Sequence, residues 1–237
     1  MDGEKRFDPS RIPEEYAFMQ SEKNPYYERL RGFPGIVLHG ADTERQAGRW
    51  VETIMGGDGP APLHVEIGIG QGHFFADMAA AAPDCAFVGL EYGYKPLYRA
   101  ARKLANRRIH NARLVLARAE RLDRIFAPAE IDHAYVLFSD PWPRSKNANK
   151  RLLSAGFFSV LAECLKHRAT VWVKTDHQDY FSWFRQQLDA HRPPFDILFS
   201  TTDLHSDTHD SSAAITHFEE LFIKAGLPIC FMELRRW

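Results

Sequence analysis

The sequence predicts an α/β fold: a doubly wound, mainly parallel sheet closed by a C-terminal antiparallel hairpin. Three observations predict it. From Leu63 to Pro194, short apolar and β-branched runs alternate with helical segments of ten or more residues, the pattern of successive β–α–β units. A glycine-rich turn, "GIGQG" at 68–72, joins the first of these strands to the first of these helices. After Pro194 the alternation weakens into "FDILFST", a polar loop, and "ITHFEELFIKAGLPICFMELRR", which reads as two closing strands joined by mixed structure.

Residues 1–41 carry Pro9, Pro13, Pro25 and Pro34 with little periodicity and read as an irregular arm. Asp42-Thr43 can cap a helix over 43–55 that stops at Gly56-Gly57. "GGDGPAP" is a linker, so the chain divides into an arm and helix (1–60) and one large domain (61–237). Within that domain "LHVEI", "AFVGLE", "ARLVLA", "DHAYVLF" and "ATVWVKT" are strands. They alternate with the helices "HFFADMAAAA", "KPLYRAARKLANRR", "SAGFFSVLAECLKH" and "HQDYFSWFRQQLDAH", and a short helical turn falls near 120–126.

Composition sets outer limits. With 237 residues, 45% hydrophobic and 26% charged, the chain can bury a substantial core. A net charge of −1 excludes a polycation, so any nucleic-acid binding must come from a local patch. Cys85, Cys164 and Cys230 form no CxxC pair and suit a reducing compartment. No apolar stretch approaches the ~18–20 residues of a membrane span, so the expected location is the cytoplasm, with no membrane partner. The loop His205-x-Asp207-x-His209-Asp210 has no cysteine and no helical i, i+4 pair, and no metal is expected.

In doubly wound sheets ligands bind beyond the carboxyl ends of the strands, and two acids stand there. Glu66 stands two residues before Gly68, ahead of Gly70 and Gly72, and Glu91 ends the next strand. The GxGxG spacing differs from the GxGxxG of dinucleotide binders. A carboxylate beside the glycines suits a cationic group better than a pyrophosphate. A carboxylate at the second strand tip can accept both hydroxyls of a ribose. An adenosyl group with a cationic tail, S-adenosylmethionine, satisfies both acids.

The stretch "YVLFSDPWPRSKNANKRLL" turns from apolar strand to acid, to prolines flanking Trp142, to a basic run. Together with "EIGIGQG", "FVGLE", "TDHQDYF" and "THFEE", in this order, it resembles the tRNA (guanine-N7)-methyltransferases from about Leu63 to the C-terminus. The resemblance implies a seven-stranded Rossmann-like methyltransferase sheet and methylation of guanine N7 in tRNA; the sequence leaves monomer and homodimer both open. It implies cofactor binding by Glu66, Gly68, Gly70, Gly72 and Glu91, with Glu120 or a neighbour supplying a further acid. Asp140 would be the catalytic acid where cofactor and substrate meet, and Arg144, Asp176, Thr216, Phe218 and Glu219 would contact substrate. The chain departs from the family at Ser139, where a proline is usual, at Arg144 for lysine, at "KNANKR" for a histidine-rich run, and at Ala213 for arginine.

Guanine N7 has a free lone pair, so the expected step is an in-line displacement aided by positioning and electrostatics. Asp140 would then orient the base through its N1–H and N2–H₂ groups and favour the arriving positive charge, without acting as a base. Trp142 can stack on a nucleobase or pack in the core. Between Lys95 and Arg124 ten Lys/Arg face two acids, Glu120 and Asp123. With Arg144, Lys146, Lys150 and Arg151 this run reads as an RNA phosphate surface. Asp176 can alternatively cap the helix that follows it, and Thr216 with Glu219 fits a capping box. The competing readings are a dehydrogenase on the same sheet, a methyltransferase with another substrate, and a weak or inactive RNA- or partner-binding relative.

Overall fold

The computed structural model describes residues 24–57, 59–207 and 215–237. Ala213 and the His209-Asp210 part of the polar loop lie outside them, as do residues 1–23 of the arm. The seven expected strands are present: β2 (Leu63–Ile67), β3 (Ala86–Glu91), β4 (Ala112–Leu116), β5 (Ile131–Leu137), β6 (Leu165–Thr175), β7 (Phe195–Thr201) and β8 (Cys230–Arg236). An eighth, β1 (Val37–His39), joins them from the arm and pairs in parallel with the β4 edge, Leu38 against Val115. Its three residues follow Pro34 and Gly35, so neither its length nor its alternation marked it. The sheet order is β1-β4-β3-β2-β5-β6-β8-β7. All neighbours run parallel except β8, which is antiparallel to both β6 and β7.

Two helix layers cover the sheet, and the alternation of strand side chains decides what each layer sees. Val65, Val88 and Leu90 belong to the larger core, shared with α3 (Trp50–Met55), α6 (Leu122–Ile125), α7 (Ala155–Cys164) and α8 (Gln178–His191). Phe87 and Leu114 belong to the second core, under α1 (Pro25–Leu30), α4 (His73–Ala81) and α5 (Tyr94–Arg107). Helix α5 buries Leu97, Ala100, Ala101 and Leu104, the i, i+3, i+4, i+7 stripe of an amphipathic helix. The last helix, α9 (His217–Lys224), precedes β8 and has the capping box legible in the sequence.

The single helix expected over 43–55 is two pieces, α2 (Ala41–Glu44) and α3, with Gly40 rather than Asp42-Thr43 at the first N-cap. The first piece ends at Glu44, and Gly48 at φ +78° closes the turn that separates it from the second. The second piece starts where the Glu130 carboxylate accepts from Gly48 N at 2.9 Å and Trp50 N at 3.2 Å. A carboxylate some eighty residues away in sequence therefore decides the break. It also seats Trp50, fully buried, with its indole N–H donating to Ile125 O at 2.8 Å. Strand β6 begins at Leu165, so α7 stops earlier than its sequence allowed.

Among the described residues no helix is long and apolar enough to cross a membrane. Nor do they hold a group of His, Cys, Asp or Glu side chains fit for a metal ion. Two of the histidines instead stack on each other across β2 and β5, His64 on His133 at 4.5 Å. Their outer nitrogens engage Tyr135 Oη at 2.8 Å and Thr170 Oγ1 at 2.7 Å.

Candidate active site

Strand β2 lies between β3 and β5, so the connections leave in opposite directions on either side of it and open a crevice at its carboxyl end. The glycine loop occupies that point. Gly68, Gly70 and Gly72 all have positive φ. At Gly72 a β-carbon would lie 2.7 Å from the Ala100 β-carbon on α5. Close packing of the loop on that helix and a left-handed backbone both demand glycine here. Gly72→Ala is expected to destabilise the fold by about 2–4 kcal/mol, combining overpacking with backbone strain. Urea denaturation would read this as a lower midpoint at unchanged slope, and a wild-type midpoint would show that the loop relaxes freely.

The amide of Gly70 donates to Glu91 Oε2 at 2.9 Å and that of Gly93 to Oε1 at 2.7 Å. Loop and second strand tip are thus one unit. Burial raises the Glu91 pKa, the backbone amides oppose that rise, and the charge of Asp140 adds to it.

Glu66 is 5% exposed, and its Oε2 has no hydrogen-bond partner among the described residues. Burial first, and the Glu91 carboxylate second, push its pKa up to about 8. A buried carboxyl without a partner is costly to maintain in a core.

Asp140 follows β5 on the sequence "FSDPWP", and it is exposed, with no hydrogen bond to a described residue. The backbone around it is strained: Phe138 has φ +54° and Trp142 has φ +41°. Neither is a residue that favours the left-handed region, and each such position costs of order 1–3 kcal/mol. Prolines at 141 and 143 restrict the alternatives.

Arg151 completes the brace. Its Nε donates to Pro141 O at 3.1 Å and its Nη2 to Trp142 O at 3.3 Å. Its guanidinium lies 4.7 Å from the Trp183 ring centroid on α8. The sequence had placed Arg151 in the phosphate surface. The structure corrects this: a long cation with five donors close to two loop carbonyls turns inward to satisfy them. Tyr180, missed in the sequence, accepts from Leu153 N at 3.1 Å and meets the Ser139 hydroxyl at 3.3 Å. Tyr180 and Trp183 are three residues apart on α8, the one signal that they share a helix face.

The remaining expected residues divide into exposed and internal groups. Arg144 and Asp176 are exposed near this edge, Asp176 just beyond the end of β6. The helix after Asp176 is capped by His177, whose Nδ1 accepts from Tyr180 N at 3.3 Å, so Asp176 is not spent on capping. Glu120 stands on the turn after β4 and pairs with Arg118 at 3.5 Å. Phe218 lies on α9.

Thr216 and Glu219, expected at substrate, are 5% and 1% exposed. They close the capping box, and both Glu219 oxygens accept from buried Lys174 Nζ at 2.9 Å. Lys174 ends in a core that admits a lysine only with a paired acid, so this pair anchors α9 to β6. Trp142 is half-buried, with Lys150 Nζ 4.8 Å from its ring centroid.

The comparisons with known proteins agree with this architecture. A family model described as a putative methyltransferase matches residues 60–232. The tRNA (guanine-N(7)-)-methyltransferase of Bdellovibrio bacteriovorus is 33% identical over 206 residues, covering 85% of this chain and 98% of that protein. The protein of the same name from Geobacillus kaustophilus is 33% identical over 199 residues, covering 84% and 88%. Among solved structures, the 16S rRNA methyltransferase KamB matches with a TM-score of 0.54 at 12% identity, covering 74% of this chain and 87% of that one. An antibiotic-related methyltransferase matches with a TM-score of 0.53 at 16% identity, over 73% and 86%. At these identities the structures show a shared fold.

Proposed function

This chain belongs to the tRNA (guanine-N7)-methyltransferase family, and from that premise we propose that it transfers a methyl group from S-adenosylmethionine to guanine N7 in tRNA, in the cytoplasm. The observation that carries the reading is the grouping of three acids at the crevice. Glu66 is buried beside Glu91 with an oxygen that has no partner among the described residues, and the charge of Asp140 acts on Glu91 in turn.

Glu66 would hold the cationic tail of the cofactor and Glu91 its ribose, with the glycine loop closing over the chain between them. Bound S-adenosylmethionine supplies an electrophilic methyl on a sulfonium. Asp140, exposed on a braced loop, would accept the N1–H and N2–H₂ donors of guanine and fix N7 towards that methyl. No proton leaves N7, so the step needs no base. The charge of Asp140 favours the positive charge that reaches the purine as the methyl transfers. Arg144, four residues past Asp140, and Asp176, just beyond the end of β6, are both exposed and would contact neighbouring parts of the RNA.

Incubation with labelled S-adenosylmethionine and unmodified tRNA, followed by nucleoside analysis, is expected to yield labelled 7-methylguanosine. Label in another nucleoside would move the substrate assignment. Tight binding of the demethylated cofactor with no transfer to any RNA would favour an inactive RNA-binding relative.

A further inference from the structure

The basic run from Lys95 to Arg124, which begins on helix α5, does not form one uniform surface. Of its ten cations, Arg107 pairs with Asp77, Arg118 with Glu120, and Arg121 and Arg124 with Glu44. Arg113 is turned onto the carbonyls of His110, Ala112 and Thr53. Lys103 is half-buried against the helix layer. Four exposed cations keep no ion pair among the described residues: Lys95, Arg99, Arg102 and Arg108. The first three are spaced i, i+4, i+7, which places them on one stripe about 10 Å long.

Helix α1 extends that stripe. Its Arg29 lies 5.3 Å from the Tyr26 ring centroid and 6.0 Å from that of Tyr98, while Arg102 lies 5.9 Å from Tyr98 on α5. Two guanidiniums therefore converge on one ring. The nearby acid of α1, Glu28, is taken by Arg31 at 3.4 Å. Like charges held together without a carboxylate repel in the free protein and are relieved by an anion placed between them. The rings give the guanidiniums a rigid seat and leave their outer donors free for phosphate oxygens. The stripe leads back to Lys95, two residues past Gly93, whose amide holds Glu91.

We propose that Arg29 and Arg102, seated on Tyr98, and Arg99 and Lys95 beyond them, form a phosphate track for the tRNA backbone, separate from the residues that position the target guanine. This deepens the tRNA reading above and rests on it.

The test is equilibrium binding of labelled unmodified tRNA between ~50 and ~200 mM salt, alongside methylation kinetics. Arg29→Gln with Arg102→Gln is expected to lower the salt slope by about 1.5, at ~0.7–0.9 per lost phosphate contact. It should raise KM for tRNA about tenfold and leave kcat and cofactor affinity unchanged. Arg107→Gln, whose partner is Asp77, should change none of these. Lys95→Gln with Arg99→Gln, both exposed, gives the same readout if the first pair lowers the melting temperature. An unaltered slope in a folded double variant overturns the track. A reduced slope in a protein that makes no 7-methylguanosine would keep the track and remove the catalytic reading.

Discussion

Asp140→Ala is expected to lower kcat for methyl transfer by about 10²–10³-fold or more, while the affinity for S-adenosylmethionine changes less than about threefold. The expectation follows from where Asp140 sits. It is exposed and bonded to no described residue, so its loss leaves the core intact. The loop is held by other groups, namely Arg151 on the carbonyls of Pro141 and Trp142 and Tyr180 on Ser139. Glu66 and the Glu91–glycine contacts remain to grip the cofactor. What is lost is the acceptor that aligns guanine and the charge that stabilises the methylated purine. Asp140→Asn tests the same point without a cavity. Its amide turns two donors towards a base edge that also donates, and activity should fall nearly as far. Single-turnover methylation with saturating cofactor measures both variants, and an active Asp140→Ala enzyme removes the assigned role.

Glu66→Gln is expected to have two opposite effects, weaker cofactor binding and a more stable free protein. In the free protein burial holds the carboxyl pKa up to about 8, so at neutral pH it is mostly protonated. A bound cation must pull that pKa down. Cofactor binding at pH 7 should then release between half and one proton, and affinity should rise as pH approaches 8. Glutamine has no proton to release and no charge to offer. It should bind about 10–100-fold more weakly, with a flat pH profile. Calorimetry in buffers of different ionisation enthalpy separates these cases.

The sign for stability is the reverse. An unfolded glutamate ionises near its ordinary pKa, and the folded one does so only near 8. The folded state therefore loses stability relative to the unfolded as pH rises from about 4.5 to 8, by several kcal/mol in total. Glutamine carries no such penalty. At pH 8 the free Glu66→Gln protein should melt several degrees above wild type, and near pH 4 the two should coincide. Equal melting at pH 8, with proton release preserved, would show that Glu66 does not face a bound cation.

Much of this site was legible in the chain. The strands at 63–67, 86–91 and 195–201 fall where the apolar runs placed them, because local alternation and flanking glycine or proline determine such elements. Glu66 and Glu91 could be named because acids at strand ends have no business in a core, and Asp140 because "FSDPWP" carries the family resemblance. Arg151 was misread because a basic run gives no sign of which cation turns inward. The break between α2 and α3 was missed because its cause, Glu130, is remote in sequence. β1 was missed because three residues carry no periodicity.

The sequence by itself determined the order of strands and helices, the glycine turn and the three acids, since each rests on residue type and short-range spacing. Only the tertiary structure decided which charges are spent. Glu219 goes to buried Lys174, Arg121 and Arg124 go to Glu44, and Glu66 is left at one oxygen with no partner among the described residues. The reason is physical: a charge is satisfied by what folding brings within a few ångströms of it, and that neighbour is set by the packing of layers, not by distance along the chain.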